Sequence, residues 1–350
     1  MTPETLPGLF LDLALTNRCP LRCRFCSVSR EAVPELPAAA WAGLVDALAR
    51  EVPLRLVSLE GGEPLIRGDL PEILEACLER AEAVKVVSGG SLPLSRIPPA
   101  LRRDPRFLLE VSLDGPPPIH DGLRDGSYRA ARRFLEQALE DGVRVRVRSV
   151  VSAVNRDALR PWLAALDREI AAHGRPVGFR FDALVDPARL ERTGGPRSRL
   201  GTRRLPRGDL VPAPRELFEL YAALRRGAFA ALRLEQPEAL RGCGAAKLPA
   251  ASFDPAGGFS LCCEAPGGFG FLAELTPAGC LRRIERAWRR LPCRRCPHFA
   301  AARCEGCWTG RKCGLAPSTR RRGCRALFSP PTGMAQDDSP GTIDLPAETS

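Results

Sequence analysis

Three cysteines stand close together near the start of the chain: Cys19, Cys23 and Cys26, in the segment CPLRCRFC. The segment directly follows the apolar run Leu9–Thr16, which is typical of a buried strand. Thiolates bind iron–sulfur clusters and zinc, and structural sites of both kinds normally close with four ligands. No fourth Cys or His lies nearby. The triplet therefore predicts a [4Fe–4S] cluster with one open iron, as a catalytic metal site requires.

Four further segments combine glycine with polar side chains, and each follows a predicted strand. They are 59–64 (LEGGEP), 88–91 (SGGS), 111–115 (VSLDG) and 120–124 (HDGLR). Glycine lets the backbone approach a ligand closely. Serine and aspartate side chains can bind hydroxyl groups, and an arginine can pair with a carboxylate. Taken alone, each segment is also typical of a structural turn.

The elements that must position these groups follow from the hydrophobic periodicity. Strands are predicted at residues 9–16, 54–59, 84–88, 107–113, 143–151 and 177–184. Helices are predicted at residues 38–50, 70–80, 128–140, 157–172 and 215–226. Repeated βα units with short connections predict a parallel sheet, curved into a full or partial barrel. In such sheets the chemistry lies at the carboxyl ends of the strands, where all five motifs fall.

The cysteine count and the charge distribution bear on compartment and partners. The chain has 14 cysteines, no basic secretory signal and no apolar run long enough to cross a membrane. We therefore expect a cytoplasmic protein whose cysteines bind metal. The net charge is +11, while residues 281–325 alone hold 14 Arg and Lys against 2 Glu, a balance of +12. This basic segment indicates an acidic protein partner, nucleic acid, compensation of a negative cofactor, or a solvated surface.

The five motifs in this order resemble the radical SAM family, whose signature is CxxxCxxC with an aromatic residue before the third cysteine, here Phe25. The resemblance implies a partial (β/α)6 TIM-like barrel and a cluster that cleaves S-adenosylmethionine (SAM) to a 5′-deoxyadenosyl radical. It also implies that Phe25 packs near the adenine, or beneath the loop. The other implied SAM contacts are Gly61, Gly62, Glu63 and Pro64 for the methionine amino group, Ser88 in the turn after the third strand, Ser112 and Asp114 for the ribose, and Arg124 for the carboxylate.

Ten further cysteines lie between Cys243 and Cys324. Their pattern resembles the SPASM extension of radical SAM enzymes, which implies one or two auxiliary [4Fe–4S] clusters. The extension usually has the pattern CxxC-x5-CxxxC, whereas this chain has CxxC-x7-CxxC. Cys262 could replace Cys263 as a ligand, and Cys280 could complete the first cluster. The implied ligands are Cys243, Cys263, Cys293, Cys296, Cys304, Cys307, Cys313 and Cys324. A zinc site in the same cysteines, with nucleic acid on the basic surface, is the rival interpretation.

Four segments follow from these patterns. They are a radical SAM core (1–185), a linker with a bridging helix (186–240), a SPASM-like auxiliary cluster domain (241–328) and a disordered tail (329–350). The resemblance implies an oxidoreductase that abstracts a hydrogen atom from a peptide in natural-product (RiPP) maturation, giving a cross-link, thioether, epimerisation or dehydrogenation. An acidic flavodoxin or ferredoxin would supply electrons. The alternatives are an aminoglycoside or aminocyclitol substrate, or a zinc or iron–sulfur protein that binds nucleic acid.

Overall fold

The structure is a computed structural model that describes residues 6–29, 31–184, 210, 212, 214–227, 229–235, 248–261, 272 and 276–290. In this part of the chain, nine strands form one sheet. The strands are β1 (Leu9–Thr16), β2 (Leu54–Gly61), β3 (Val84–Ser88), β4 (Phe107–Ser112), β5 (Val145–Val151), β6 (Val177–Ala183), β7 (Leu232–Leu234), β8 (Ala250–Phe253) and β9 (Phe259–Ser260). The helices are α1 (Ala38–Ala49), α2 (Leu70–Arg80), α3 (Pro99–Arg102), α4 (Pro117–Leu123), α5 (Tyr128–Glu140), α6 (Arg156–Ala171), α7 (Pro214–Arg225) and α8 (Pro277–Arg289), with short 3-10 helices at Pro64–Ile66 and Leu94–Arg96.

Chain order and sheet order coincide from β1 to β7, and neighbours among these seven strands are parallel. Each crossover therefore moves one position in the same direction, which is the winding of a (β/α) barrel rather than of a doubly wound sheet, whose order reverses. On the other side of β1 lies β8, also parallel, and then antiparallel β9. Among the described residues β7 and β9 are not neighbours. The predicted α/β fold, a partial TIM-like barrel, is confirmed.

The two faces of the sheet differ sharply in chemistry. On β1, alternate leucines at positions 9, 11, 13 and 15 are fully buried. They belong to one core cluster with Trp41 of α1 and the buried residues of the other helices. Each buried leucine contributes about 2 kcal/mol by leaving water. The opposite face carries Asp12 on β1, Ser58 on β2 and Lys85 on β3, which are neighbours in register. Because the helices cover the leucine face of the sheet, the polar face lines the inside of the barrel.

Strand β5 shows how the interior is built. Its sequence alternates Val with Arg, a pattern that predicts a strand with one half-exposed face. The alternation is confirmed, because Val145 and Val147 are buried against the core and the side chains of Arg146 and Arg148 are 12% and 27% exposed. Both arginines pair with Glu110 of β4. The polar face of β5 therefore lies among carboxylates inside the barrel.

The sheet continues past the predicted end of the core at residue 185. Strand β7 lies in the segment predicted as a linker, and β8 and β9 lie in the segment predicted as the auxiliary cluster domain. These strands have three, four and two residues, which is too short for hydrophobic periodicity to detect. The division into four segments stays a prediction, and the predicted tail lies outside the described residues. Among the described helices, none is long and apolar enough to cross a bilayer.

A buried carboxylate attaches β7 to the rest of the fold. Asp167 of α6 accepts hydrogen bonds from the backbone N–H groups of Ala230, Ala231 and Leu232, at 2.8, 2.8 and 2.7 Å. Burial raises the pKa of Asp167, but the three N–H donors outweigh it, and the net pKa lies below the ordinary value. The charged carboxylate therefore satisfies three backbone donors that would otherwise be left without acceptors.

We expect Asp167→Asn to lower the free energy of unfolding by about 2 kcal/mol at neutral pH, because an amide satisfies these donors less well. A depressed pKa stabilises the fold above the unfolded pKa, and this contribution is lost as the pH falls through the folded pKa. The loss should therefore shrink near pH 3. Urea unfolding at both pH values measures it, with Asp157→Asn as control because that side chain on the same helix is 87% exposed. An equal loss at both pH values would contradict a role for the charge.

Candidate active site

The cysteine triplet lies in the loop that follows β1 at the carboxyl end of the sheet. Cys19, Cys23 and Cys26 are all partly exposed. The pKa of Cys23 is raised to about 11, first by burial and also by the neighbouring thiols of Cys26 and Cys19, while Arg124 opposes the shift. The three sulfur atoms are thus close enough to interact electrostatically. A bound metal ion would reverse this shift, because a coordinating thiol is deprotonated.

The three thiols of this loop fit a [4Fe–4S] cluster in chemistry, because thiolates are the ligands that such clusters take. Among the described residues, no three Cys, His, Asp or Glu side chains already converge on a metal position. The cluster ligands at Cys19, Cys23 and Cys26 remain a prediction.

The end of α4 holds the cysteine loop by its backbone. The N–H of Arg24 donates to the carbonyl oxygen of Leu123 at 2.9 Å. The N–H of Arg22 donates to Oδ2 of Asp125 at 3.0 Å. Asp125 has φ +59°, a conformation that costs energy for any residue but glycine and that Asp tolerates better than most. Residues 123–125 therefore hold the middle of the cysteine loop in place at the end of the barrel.

Phe25 points down from this loop into a small apolar cluster with Leu123, Leu184 and Leu210. It is 9% exposed, and the guanidinium of Arg124 stands 5.0 Å from its ring centroid. This placement supports the predicted alternative in which Phe25 packs beneath the loop, and a contact with adenine stays a prediction.

Gly61 and Gly62 bring the end of β2 against the backbone just before the first cysteine. The N–H of Gly62 donates to the carbonyl oxygen of Thr16 at 2.6 Å, and that of Glu63 donates to the carbonyl oxygen of Arg18 at 2.9 Å. A Cβ atom on Gly62 would lie 2.3 Å from the Arg18 oxygen, and one on Gly61 would lie 2.4 Å from the Thr16 oxygen. Gly61 also has φ +125°. Both glycines are needed for contact between two backbone segments.

Glu63 joins the ends of β2 and β3. Its carboxylate accepts hydrogen bonds from the Ser88 hydroxyl at 3.0 and 3.1 Å, from the N–H of Gly89 at 2.9 Å and from that of Leu65 at 3.2 Å. Burial raises the pKa of Glu63, and these donors oppose it. Pro64 begins the short 3-10 helix that follows. The two predicted segments that contain Glu63, Pro64 and Ser88 therefore lie next to each other. Their contact with SAM stays a prediction.

Asp114 and Arg124 contact each other. Both are buried, and Nε of Arg124 donates to Oδ2 of Asp114. The backbone N–H of Val150 donates to Oδ1 of Asp114 at 2.7 Å, so the pair also ties β4 to β5. Burial would lower the pKa of Arg124, but Asp114 and Cys23 raise it above its ordinary value. Ser112, at the end of β4, is buried on the interior face beside this pair.

His120 of the same motif is neutral and structural. Burial and then Arg124 lower its pKa to about 4. Its Nδ1 accepts a hydrogen bond from the N–H of Asp114 at 3.2 Å, so its Nε2 carries the proton and donates to the Ser127 hydroxyl at 3.1 Å. The histidine therefore connects the Asp114 turn to the start of α5.

Charged residues inside the barrel escaped the sequence motifs. Glu110 of β4 is fully buried and pairs with Lys85 at 3.6 Å, Arg146 at 2.6 Å and Arg148 at 3.4 Å. Burial alone would raise its pKa, but the cations, first Lys85, hold it at about 2. The signal in the sequence was the pair of alternating charges on β5 (Arg146 and Arg148) and on β6 (Arg180 and Asp182), which alternation alone would assign to a solvent-exposed face.

Arg148 lies beside the predicted cofactor motifs. It is in register with Ser112 of β4. Its Nε donates to Asp182 at 2.6 Å and its Nη1 to Glu110 at 3.4 Å. Burial lowers its pKa, but these two carboxylates raise it above the ordinary value. Within the described residues, its Nη2 group has no hydrogen-bond acceptor, so Arg148 keeps donors for a ligand.

Part of the chain is similar in sequence to known proteins. Residues 13–158 match the family profile of the Radical SAM superfamily. The chain is 36% identical over 89 residues to PqqA peptide cyclase from Granulibacter bethesdensis, covering 25% of this chain and 24% of that protein. It is 31% identical over 189 residues to molybdenum cofactor biosynthesis protein 1 from Homo sapiens, covering 49% of this chain and 28% of that protein. The chain thus matches only about a quarter of the length of these relatives.

Solved structures show the same fold. The anSMEcpe structure with bound AdoMet matches 92% of each chain with a TM-score of 0.60 and 16% identity. Streptococcus suis SuiB bound to the precursor peptide SuiA matches 73% of this chain and 60% of its own, with a TM-score of 0.58 and 16% identity. Together with the profile match over residues 13–158, these likenesses confirm the predicted resemblance to radical SAM enzymes.

We expect Gly62→Ala to displace the cysteine loop, because the added methyl group would meet a carbonyl oxygen that hydrogen bonding holds in place. Overpacking of this kind costs about 2 kcal/mol. Iron content and visible absorbance after anaerobic reconstitution should fall, and the melting temperature should fall as well. Gly68→Ala is the matched control, since a Cβ there would meet nothing within 4 Å. Full iron loading of Gly62→Ala would show that the loop tolerates the displacement.

Proposed function

We propose that this protein is a radical SAM enzyme that oxidatively modifies a peptide. The observation that carries the proposal is the convergence of the cysteine loop, the Gly61–Gly62 contact and the Asp114–Arg124 pair at one end of a polar barrel. When bound at Cys19, Cys23 and Cys26, a [4Fe–4S] cluster would supply the electron that cleaves SAM to methionine and a 5′-deoxyadenosyl radical. The chain's own residues would position SAM, keep water from the radical and hold the substrate.

The SAM contacts that we propose follow the geometry of the site. The turns at Gly61–Pro64 and Ser88 would receive the methionine amino group, and Ser112 and Asp114 the polar groups of the ribose. Arg124 was expected from the sequence to take the carboxylate, but Nε and Nη2 of this buried side chain face Asp114. Arg148 is favoured for this contact because it retains donors next to Ser112. Arg124 would then act by bracing Asp114 and the cysteine loop.

A peptide substrate is supported by the relatives. PqqA peptide cyclase is named for a peptide, and SuiB and anSMEcpe have been solved with peptides bound. The GTP 3′,8-cyclase of Rhodococcus opacus, 28% identical over 156 residues, is named for a nucleotide. We therefore propose a peptide cross-link, thioether, epimerisation or dehydrogenation. A gain or loss of mass on a co-expressed peptide would support this substrate, and conversion of a nucleotide or aminocyclitol alone would exclude it.

Auxiliary [4Fe–4S] clusters are proposed for the second group of cysteines. The predicted ligands Cys243, Cys263, Cys293, Cys296, Cys304, Cys307, Cys313 and Cys324, and also Cys262, lie outside the described residues. Cys280 lies in α8, fully buried in the main core, and burial raises the pKa of its thiol. That position favours a packing role for Cys280. The proposal includes an acidic flavodoxin or ferredoxin as the electron donor.

Replacing all three loop cysteines by alanine tests the function directly. We expect the triple variant Cys19→Ala, Cys23→Ala, Cys26→Ala to lose about four irons per chain and all formation of 5′-deoxyadenosine from SAM with dithionite. Two auxiliary clusters would leave about eight irons, whereas a zinc module would leave zinc in their place. The control is Cys77→Ala, since Cys77 is buried in α2 within the core. Wild-type protein with full iron and no 5′-deoxyadenosine would refute the proposal.

The proposed carboxylate contact is tested by Arg148→Lys, which keeps the charge beside Glu110 and Asp182 but removes the planar fork. We expect the dissociation constant of SAM, measured by equilibrium dialysis on reconstituted protein, to rise about tenfold. Arg146→Lys is the matched control on the same face of β5, because both Nη groups of Arg146 already bind carboxylates. If Arg124→Lys lowered the affinity for SAM and Arg148→Lys did not, the contact with the SAM carboxylate would be assigned to Arg124 instead.

A further inference from the structure

Helix α8 carries a row of arginines along one side, which we call the arginine stripe: Arg282, Arg283, Arg286, Arg289 and Arg290, the last directly after the helix. All five residues are exposed. At 100° per residue they fall within about one third of the helix circumference, and the stripe is about 12 Å long. It is a compact, strongly basic surface on an element of regular structure.

The opposite side of α8 fixes the direction of the stripe. Cys280, Ile284 and Trp288 recur every four residues and are all buried. Cys280 and Ile284 belong to the main core, and α8 contacts α1 in the outer helical layer. The guanidinium groups of the stripe therefore face outward.

The stripe is poorly neutralised by its own surroundings. Glu285 forms an ion pair with Arg289. Within the described residues, Arg282, Arg283 and Arg286 have no carboxylate within ion-pair distance, and neither has Arg290. Like charges three and four residues apart destabilise a helix by a few tenths of a kcal/mol per pair. The stripe thus carries a cost in the free protein that an acidic partner would remove.

We infer that the arginine stripe docks an acidic one-electron carrier protein. The inference rests on the proposed function, in which a reduced iron–sulfur cluster gives one electron to SAM, so the cluster must first be reduced from outside the protein. One electron leaves the reduced carrier and enters an iron–sulfur centre, and no atom is exchanged. Complexes between electron-transfer proteins have small interfaces, short lifetimes and association rates that depend on charge. A short charged surface without an apolar centre suits a complex of this kind. The stripe lies in the outer helical layer, so a carrier bound there would leave the barrel interior open to the substrate. In the sequence, the predicted cluster ligands Cys293 and Cys296 follow within six residues of Arg290.

The test compares two sources of electrons in two matched double variants. Arg282→Glu with Arg286→Glu reverses two exposed charges four residues apart on α8. Arg129→Glu with Arg133→Glu makes the same change on α5, where both arginines are also exposed. Formation of 5′-deoxyadenosine is measured with reduced flavodoxin as the probe carrier and, separately, with dithionite, which needs no docking surface.

We expect the α8 variant to lose at least about tenfold in kcat/KM for flavodoxin and to change less than about twofold with dithionite. The α5 variant should match the wild-type protein with both reductants. Equal flavodoxin kinetics in the α8 and α5 variants would refute the docking site while leaving the proposed function intact. Absence of product with both reductants in the wild type would instead refute the proposed function.

A binding measurement removes the dependence on turnover. The dissociation constant of oxidised flavodoxin, from calorimetry at low and high salt, should rise in the α8 variant and not in the α5 variant, and the difference should shrink at high salt. Arg282→Gln with Arg286→Gln should give an intermediate value, because it removes charge without reversing it. Tighter binding of a duplex oligonucleotide than of flavodoxin, lost in the α8 variant, would assign the stripe to nucleic acid and overturn the inference. A rise only in the KM for the peptide would overturn it as well.

Discussion

The site depends on how closely two backbone segments approach each other at the ends of β1 and β2. Gly62 lies so near the Arg18 carbonyl that no side chain fits between them, and two hydrogen bonds hold the segments together. The first cysteine follows one residue later, so this contact sets where the cysteine loop leaves the sheet. The end of α4 then fixes the middle of the same loop. Between these two attachments, hydrogen bonds of the backbone constrain the positions of Cys19 and Cys23.

Sequence periodicity was sufficient for the long elements up to residue 226, but the 13-residue helix α8 was not predicted. The six strands β1 to β6 and the helices predicted at 38–50, 70–80, 128–140, 157–172 and 215–226 are all present within a few residues of their expected ends. Strands β7 to β9 could not be predicted, because two to four residues carry no period. Helix α4 was also missed, since Pro117 and Gly122 make its seven residues read as a turn.

The motifs predicted where the site lies, but not which atoms contact which. That Asp114 and Arg124 would pair with each other follows from burial, because a desolvated guanidinium beside a desolvated carboxylate is stable only as a pair. No spacing in the sequence reveals this. The interior charges of Glu110, Arg146 and Arg148 were hidden for a related reason: alternation separates two faces but does not say whether the polar face meets water or the inside of a barrel.

The position of β8 has a consequence for how the chain is made. Asp12 of β1 accepts a hydrogen bond from Ser252 of β8, a partner 240 positions later in the chain. While the protein is being synthesised, β1 can pair with β2 early, but its other edge keeps unpaired backbone groups until residue 253 has left the ribosome. An open strand edge in a half-built sheet is the kind of surface at which nascent chains associate wrongly. Completion of this barrel is therefore a late event in biosynthesis, and the cell must protect the first strand until the eighth arrives.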